Sequence, residues 1–526
     1  MTSKESTNMS VITAVGNSLI LHGIFAHLST RDLKEVRKVS KFWENEANTI
    51  LRNKTTYSFV RYYKSLLTGR SNPDYPPNID LIRHISVVSY IASVPYYVDI
   101  RYPYFQQSFA NFAAKYGDKF HSIYFSMSTD LYTIMFSLLS NIQFQNLKCL
   151  TTRVFKMNDD LFPQNEISEL QTKFNMSNLR SFNIKNFELS ETGSNFHAMA
   201  SKIIKQAINL ENLRINDETN FFPDLSSCKK LKYFKWKFHP FKSNTNFQQF
   251  SDNFTIQKIL DMLNQVSETL QYFRAAVLRS CEDPPLLTFD PTLLVFPIMK
   301  KLTTLSLPTV NMFDLGFTKL TQNELPSLKR VELLMAENSY RGTRFLGKYI
   351  TNGFSRILWT TVEELRFDGI DINCDTSEHI WSKIWQIFPN LKNFTVQIYG
   401  SMQSPNKMVE SFRNLYQCPW NLTIMLFPKI CTFSELMEAM RFGSVRGKDE
   451  SALSHGSFKH ISIVRCRTPS NTREWIDPGC TKYEEVFKIW QPNLSLHGFR
   501  FHPAALSRMV DFIQKNELKV SFEKRM

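Results

Sequence analysis

One short phrase, repeated along most of the chain, restricts the fold more than any other feature: an apolar residue at positions one, four and six, with mainly polar or small residues between. It reads clearly as Leu179 to Ile184, Leu210 to Ile215, Leu231 to Trp236, Leu302 to Leu307, Leu328 to Leu333, Val362 to Phe367 and Leu391 to Val396. Copies also begin at Ile82, Phe120 and Phe458, with looser ones at Leu147 and Leu270 and a degenerate one near Trp420 to Ile424. Apolar residues two apart, at positions four and six, carry the period of a strand with one buried face. Most starts lie between 21 residues apart (Leu210 to Leu231) and 39 (Leu231 to Leu270), which leaves room for a strand and a returning segment.

Several spacers supply that return. Ala200 to Asn209, Phe254 to Leu263 and Ser377 to Phe388 show apolar residues at helical spacing. Leu325-Pro326-Ser327-Leu328-Lys329 and Phe388-Pro389-Asn390-Leu391-Lys392 place a helix stop just ahead of a strand start. Phrase and spacer together resemble the leucine-rich repeat. The resemblance implies an α/β fold, an irregular solenoid of parallel strands and returning helices over residues 81–526. Insertions are expected at His239 to Asp252, Ala336 to Gly353, Arg441 to Ser457 and Arg467 to Gly479.

If the strands line one face, positions three and five of each phrase point away from the core. That row holds Arg214, Tyr233, Lys235, Tyr272, Arg274, Arg330 and Arg366, a candidate substrate-binding surface for an acidic or phosphorylated segment. Equally, basic residues decorate any chain of net charge +15, so a solvated face is the competing reading.

The N-terminal stretch Asn17 to Leu51 carries a different pattern, three short helices. Leu21, Ile24, Phe25 and Leu28 form one apolar helical stripe. Ser29 and Thr30 offer N-cap hydroxyls to a second helix bearing Leu33 and Val36, and Ser40 breaks the chain before a third, with Val39, Trp43 and Ala47 every fourth residue. Gly23 costs the first helix roughly 1 kcal/mol relative to Ala unless close packing requires it. So rich an apolar set on so short a chain calls for a partner.

The order Ile24-Phe25-Ala26-His27-Leu28, Asp32-Leu33, Val39-Ser40-Lys41-Phe42-Trp43 and Ala47 resembles the F-box. The resemblance implies docking on the adaptor subunit and cullin of a cullin-RING (SCF-type) ubiquitin ligase, with the repeats holding a protein substrate for ubiquitination and proteasomal degradation. Leu21, Ile24, Phe25, Leu28, Leu33, Val36, Val39 and Trp43 are then the adaptor-binding set, some internal and some at the interface. Residues 1–14 are expected to be disordered, 15–68 to hold the F-box and a following helix over Tyr57 to Leu67, and 69–80, rich in Pro, to be a linker.

A composition 43% apolar and 21% charged is that of a globular chain and not a disordered one. Eight scattered Cys without a C-x-x-C predict reduced thiols in a cytoplasmic or nuclear protein. No stretch is apolar enough to span a bilayer, so no membrane partner is expected. Catalytic motifs are lacking. Gly342 to Lys348 matches the start of a phosphate-binding loop, yet Tyr349 stands where the magnesium-binding hydroxyl belongs. His84, His460 and His497 lack partners at ligand spacing. The chain therefore reads as a non-enzyme with no cofactor or metal. The alternative is a repeat scaffold outside any ligase that binds an acidic protein or nucleic acid, the latter the less favoured partner.

Overall fold

The structure is a computed structural model, which describes residues 16–59, 82–88, 102–128, 142, 144–155, 176–186, 194–217, 221–238, 252–277, 296–308, 321–334, 358–371, 384, 386–399, 421–426, 436–437, 460–465, 483–489, 494–497 and 503–522. The expected disordered terminus, the 69–80 linker and nearly all of the four expected insertions lie outside these residues. The chain divides into two compact units, Met1–Leu231 and Lys232–Met526. Its strands are all parallel and pair in sequence order within each unit, the α/β repeat arrangement that the phrase predicts.

The first unit opens with three helices, α1 (Ser18–His27), α2 (Thr30–Val36) and α3 (Lys41–Lys54). Each start is fixed by a short polar side chain. Asn17 accepts from the backbone of Leu19 and Ile20, Ser29 from Asp32 and Ser40 from Trp43. The Lys54 ammonium donates to the Ala26 and Leu28 carbonyls at 2.5 and 2.7 Å, placing a cation where α1 ends and its dipole is negative.

A single residue, Thr55, separates α3 from β1 (Thr56–Ser58), which pairs with β2 (His84–Val88) in the register Tyr57↔Ile85. The helix expected over Tyr57 to Leu67 is thus corrected at its start only: Tyr57 and Ser58 are strand, Phe59 is helical, and residues 60–67 lie outside the described ones. Thr and Tyr favour a pleated surface. Beside them the Phe59 side chain is fully buried, its ring 5.0 and 5.5 Å from those of Phe109 and Phe112 on α4 (Tyr102–Tyr116). The helical module therefore runs into the sheet without an intervening linker.

The unit continues through β3 (Ser122–Ser128), β4 (Cys149–Phe155), β5 (Ser181–Asn186), α5 (Ser194–Gln206) and β6 (Asn212–Asp217). The second unit holds β7 (Tyr233–Phe238), α6 (Asp252–Val266), β8 (Tyr272–Val277), β9 (Thr304–Pro308), β10 (Arg330–Leu334), β11 (Glu364–Asp371), β12 (Asn393–Tyr399), β13 (Asn421–Leu426) and β14 (His460–Arg465). It closes with α7 (Tyr483–Ile489), β15 (Leu494–His497), α8 (Pro503–Lys515) and β16 (Val520–Phe522). Strands β13, β15 and β16 extend the array beyond the clear copies of the phrase. In β13, Leu422 and Ile424 fill the core positions and pair with Phe394 and Val396.

Each strand starts two residues into its phrase. Positions one, four and six point to the core, as with Leu179, Phe182 and Ile184 or Leu328, Val331 and Leu333, all at most 2% exposed. Each such side chain stabilises the fold by about 1.5–3 kcal/mol through burial. Position two does other work. Its carbonyl accepts two successive amides of the next repeat: Arg83 from His121 and Ser122, Lys148 from Arg180 and Ser181, Thr303 from Lys329 and Arg330.

An asparagine ahead of the phrase locks neighbouring turns together. The Asn146, Asn178, Asn209 and Asn390 amides donate to the carbonyls of Asp118, Gln145, Ser177 and Thr360 at 2.6–2.8 Å. The turn backbone is satisfied by the preceding repeat, so no repeat stands alone.

Phe59→Ala should cost the first unit about 3–5 kcal/mol, the usual range for truncating a buried Phe. A thermal melt that is unchanged from wild type would show that β1 is not anchored as described.

Candidate functional site

The eight apolar residues expected on the adaptor face divide by burial. Leu21, Phe25 and Leu33 sit inside the helical module with Ala47, Ile50 and Leu51, while Leu28, Val36 and Trp43 pack against that core. The Phe25 and Trp43 rings meet edge to face at 5.5 Å. A residue that closes the module's own core has no surface to offer a partner. Of the eight, only Ile24 and Val39 are exposed, at 52% and 61%.

Three more apolar side chains, which the sequence pattern did not single out, are also in solvent: Leu19 at 84%, with Ile20 and Phe42 beside the more exposed ones. A helical projection holds the signal for the pair Ile20 and Ile24, one turn apart and off the Leu21 and Phe25 stripe. Gly23 lies on the same helix, and an added Cβ there would meet nothing within 4 Å. Among the described residues no close contact calls for a glycine.

The other candidate surface is the outward side of the sheet. Arg214, on β6 of the first unit, is exposed there. In the second unit the expected residues fall on neighbouring strands in register, Tyr233↔Tyr272 and Lys235↔Arg274. The two tyrosine rings stack at 4.2 Å with a 9° tilt. Burial, with the charges of Tyr233 and Glu332 adding to it, pushes the Tyr272 hydroxyl up to about 12, so it remains a donor at neutral pH.

Arg330 and Arg366 prove to be engaged. Arg330 reaches Glu332 at 2.7 Å and Glu364 at 3.2 Å, and Arg366 grips Asp368 with two nitrogens at 2.8 and 3.2 Å. Positions two apart on a strand share a face, which is why the sequence neighbours Glu332 and Asp368 fall within reach. Burial raises the Asp368 carboxyl above its ordinary value, against the opposing hydrogen bond and charge of Arg366.

The expectation that positions three and five all face solvent is corrected at two places. Glu332 is 5% exposed beneath its ion pair, and Ser306 is fully buried. Among the described residues neither the Ser306 hydroxyl nor Arg274 Nε has a hydrogen-bond partner.

Among the described residues the remaining sequence features gather into no site. His84 Nδ1 lies 2.6 Å from Ser122 Oγ on the adjacent strand, and burial lowers its pKa. His497 is half-buried, and the His460 side chain lies outside the described residues. Among the described residues no group of three His, Cys, Asp or Glu could hold a metal ion, and no helix is long and apolar enough to cross a membrane. Cys149 and Cys228 are free thiols, and burial pushes Cys228 up to about 11. The Gly342 to Lys348 stretch lies outside the described residues. No family model matches the chain, and no curated protein matches it significantly.

Gly23→Ala should stabilise the helical module by about 1 kcal/mol, the full helix-propensity difference, because the new methyl has open space. A melting temperature that falls instead would reveal a packing demand on this position.

Proposed function

We propose that the chain is the substrate-recognition subunit of a cullin-RING ubiquitin ligase. The observation that carries this reading is the state of the N-terminal helices, whose core is complete while Leu19, Ile20, Ile24, Val39 and Phe42 remain in water. Five exposed large apolar side chains on a module this small support a protein-docking role. Their sequence context is the one that resembles the F-box, so the partner is the ligase adaptor.

Catalysis then needs no nucleophile from this chain. A receptor that binds the adaptor at one place and a client at another raises the effective concentration of client lysines near the charged conjugating enzyme. The direct passage from α3 into β1 supports such a role, since a tether without slack wastes little of that concentration. The ion pairs at Arg330 and Arg366 favour this over a nucleic-acid scaffold, whose affinity rests on many open cations along one track.

Ile24→Ser combined with Val39→Ser changes exposed residues and leaves the module's core intact. We expect the double variant to melt like wild type and to lose adaptor and cullin from its affinity-purified complexes. Retention of both subunits at wild-type yield would overturn the assignment.

A further inference from the structure

The position-two residues do more than stack one repeat on the next. From β2 to β5 they are Arg83, His121, Lys148 and Arg180, and the carbonyl of each takes the amide of the one that follows, so that they form a column along one rim of the first unit. Glu211, on the next repeat, ends it. At the other end the register Thr56↔His84 sets Thr55, the single residue between α3 and β1, opposite Arg83. Lys54, one residue earlier, grips the end of α1. The column therefore starts where the helical module joins the sheet.

Little compensates its cations. Arg83 Nη1 donates to the uncharged Lys119 carbonyl at 3.3 Å, and Arg180 lies 3.9 Å from Glu211, beyond hydrogen-bond reach. Lys148 is exposed and, among the described residues, has neither an ion pair nor a side-chain hydrogen bond. The other acid on the described turns of this rim is Asp118, exposed ahead of β3. Burial, reinforced by the charges of Arg83, Lys148 and His84, lowers the His121 pKa, so its ring is neutral at pH 7 inside a positive field.

We propose that this column holds an acidic segment of the protein that docks on the helical module, its carboxylates meeting Arg83, Lys148 and Arg180. The inference rests on the adaptor reading above and gives that partner a second, electrostatic contact. The two contacts divide the work: apolar residues of the module set how long the partner stays, and rim charges set how fast it arrives. Acidic side chains three or four residues apart on a helix stand about 5–6 Å from one another, close to the step between neighbouring strands. A polynucleotide fits less well. Its affinity grows with each phosphate neutralised, and this track spans only about 15 Å before Glu211 closes it.

The test measures binding kinetics of the full-length protein with the purified adaptor subunit of an SCF-type ligase over a range of salt concentrations. Lys148→Glu with Arg180→Glu reverses two exposed charges and leaves the backbone hydrogen bonds of the column in place. Its association rate constant at low ionic strength should fall about tenfold, the lower end of electrostatic steering, and the deficit should fade toward about 1 M salt. Its dissociation rate should stay within about twofold of wild type. Lys148→Arg with Arg180→Lys, which keeps both charges, should associate like wild type.

The Ile24→Ser, Val39→Ser variant should behave in the opposite way, with normal association and faster dissociation. A charge-reversed variant that binds the adaptor with wild-type rates at low salt would overturn the inference and leave the adaptor reading standing. So would tighter binding of a single-stranded oligonucleotide than of the adaptor at physiological salt, lost in the charge-reversed variant. Absence of adaptor binding by the wild-type protein would overturn both.

Discussion

The fold depends on each repeat completing the backbone of its neighbour. At the start of most of the described strands the position-two carbonyl takes two amides from the following repeat, and on many turns an asparagine amide reaches back to the preceding turn. A strand start left alone would bury unpaired donors, so stacking is obligatory and burial of positions one, four and six follows from it. The stacked layers differ in geometry along the array: the Phe234 and Phe273 rings are tilted at 5.6 Å, whereas Phe367 and Phe394 meet edge to face at 5.5 Å.

The three N-terminal helices obey a different rule. They are short, and their stability comes from a small core around Leu21, Phe25, Leu33, Ala47, Ile50 and Leu51 together with side-chain caps at every helix start. So small a core spends the best apolar residues internally. What remains outside, Leu19, Ile20, Ile24, Val39 and Phe42, is set by the helical period. Its fusion to the sheet through Thr55, with Phe59 wedged against α4, ties the module to the first repeats.

On the outward side of the second unit, electrostatics sort the residues that periodicity merely lines up. Rows of side chains on parallel strands are forced into contact at the strand spacing, where like charges destabilise and opposite charges attract. Arginine at one position thus meets glutamate on the next strand, as with Arg330 and Glu364.

Much of this was legible in the chain itself. The phrase gave every clear strand and which of its side chains enter the core, because alternation along a strand is a local geometric fact; Ser29 and Ser40 marked helix starts for the same reason. The asparagine ahead of the phrase was visible at Asn146, Asn178, Asn209 and Asn390, but its meaning depends on a turn some thirty residues earlier. Only the tertiary structure decided that Thr56 to Ser58 is the first strand, that Ile24 is exposed while Phe25 is not, that Glu332 and Ser306 are buried on an outward row, and that Arg330 and Arg366 already hold carboxylates. Periodicity assigns a side chain to a face of its own element. Whether another element covers that face, and with what charge, is a property of residues far away in sequence.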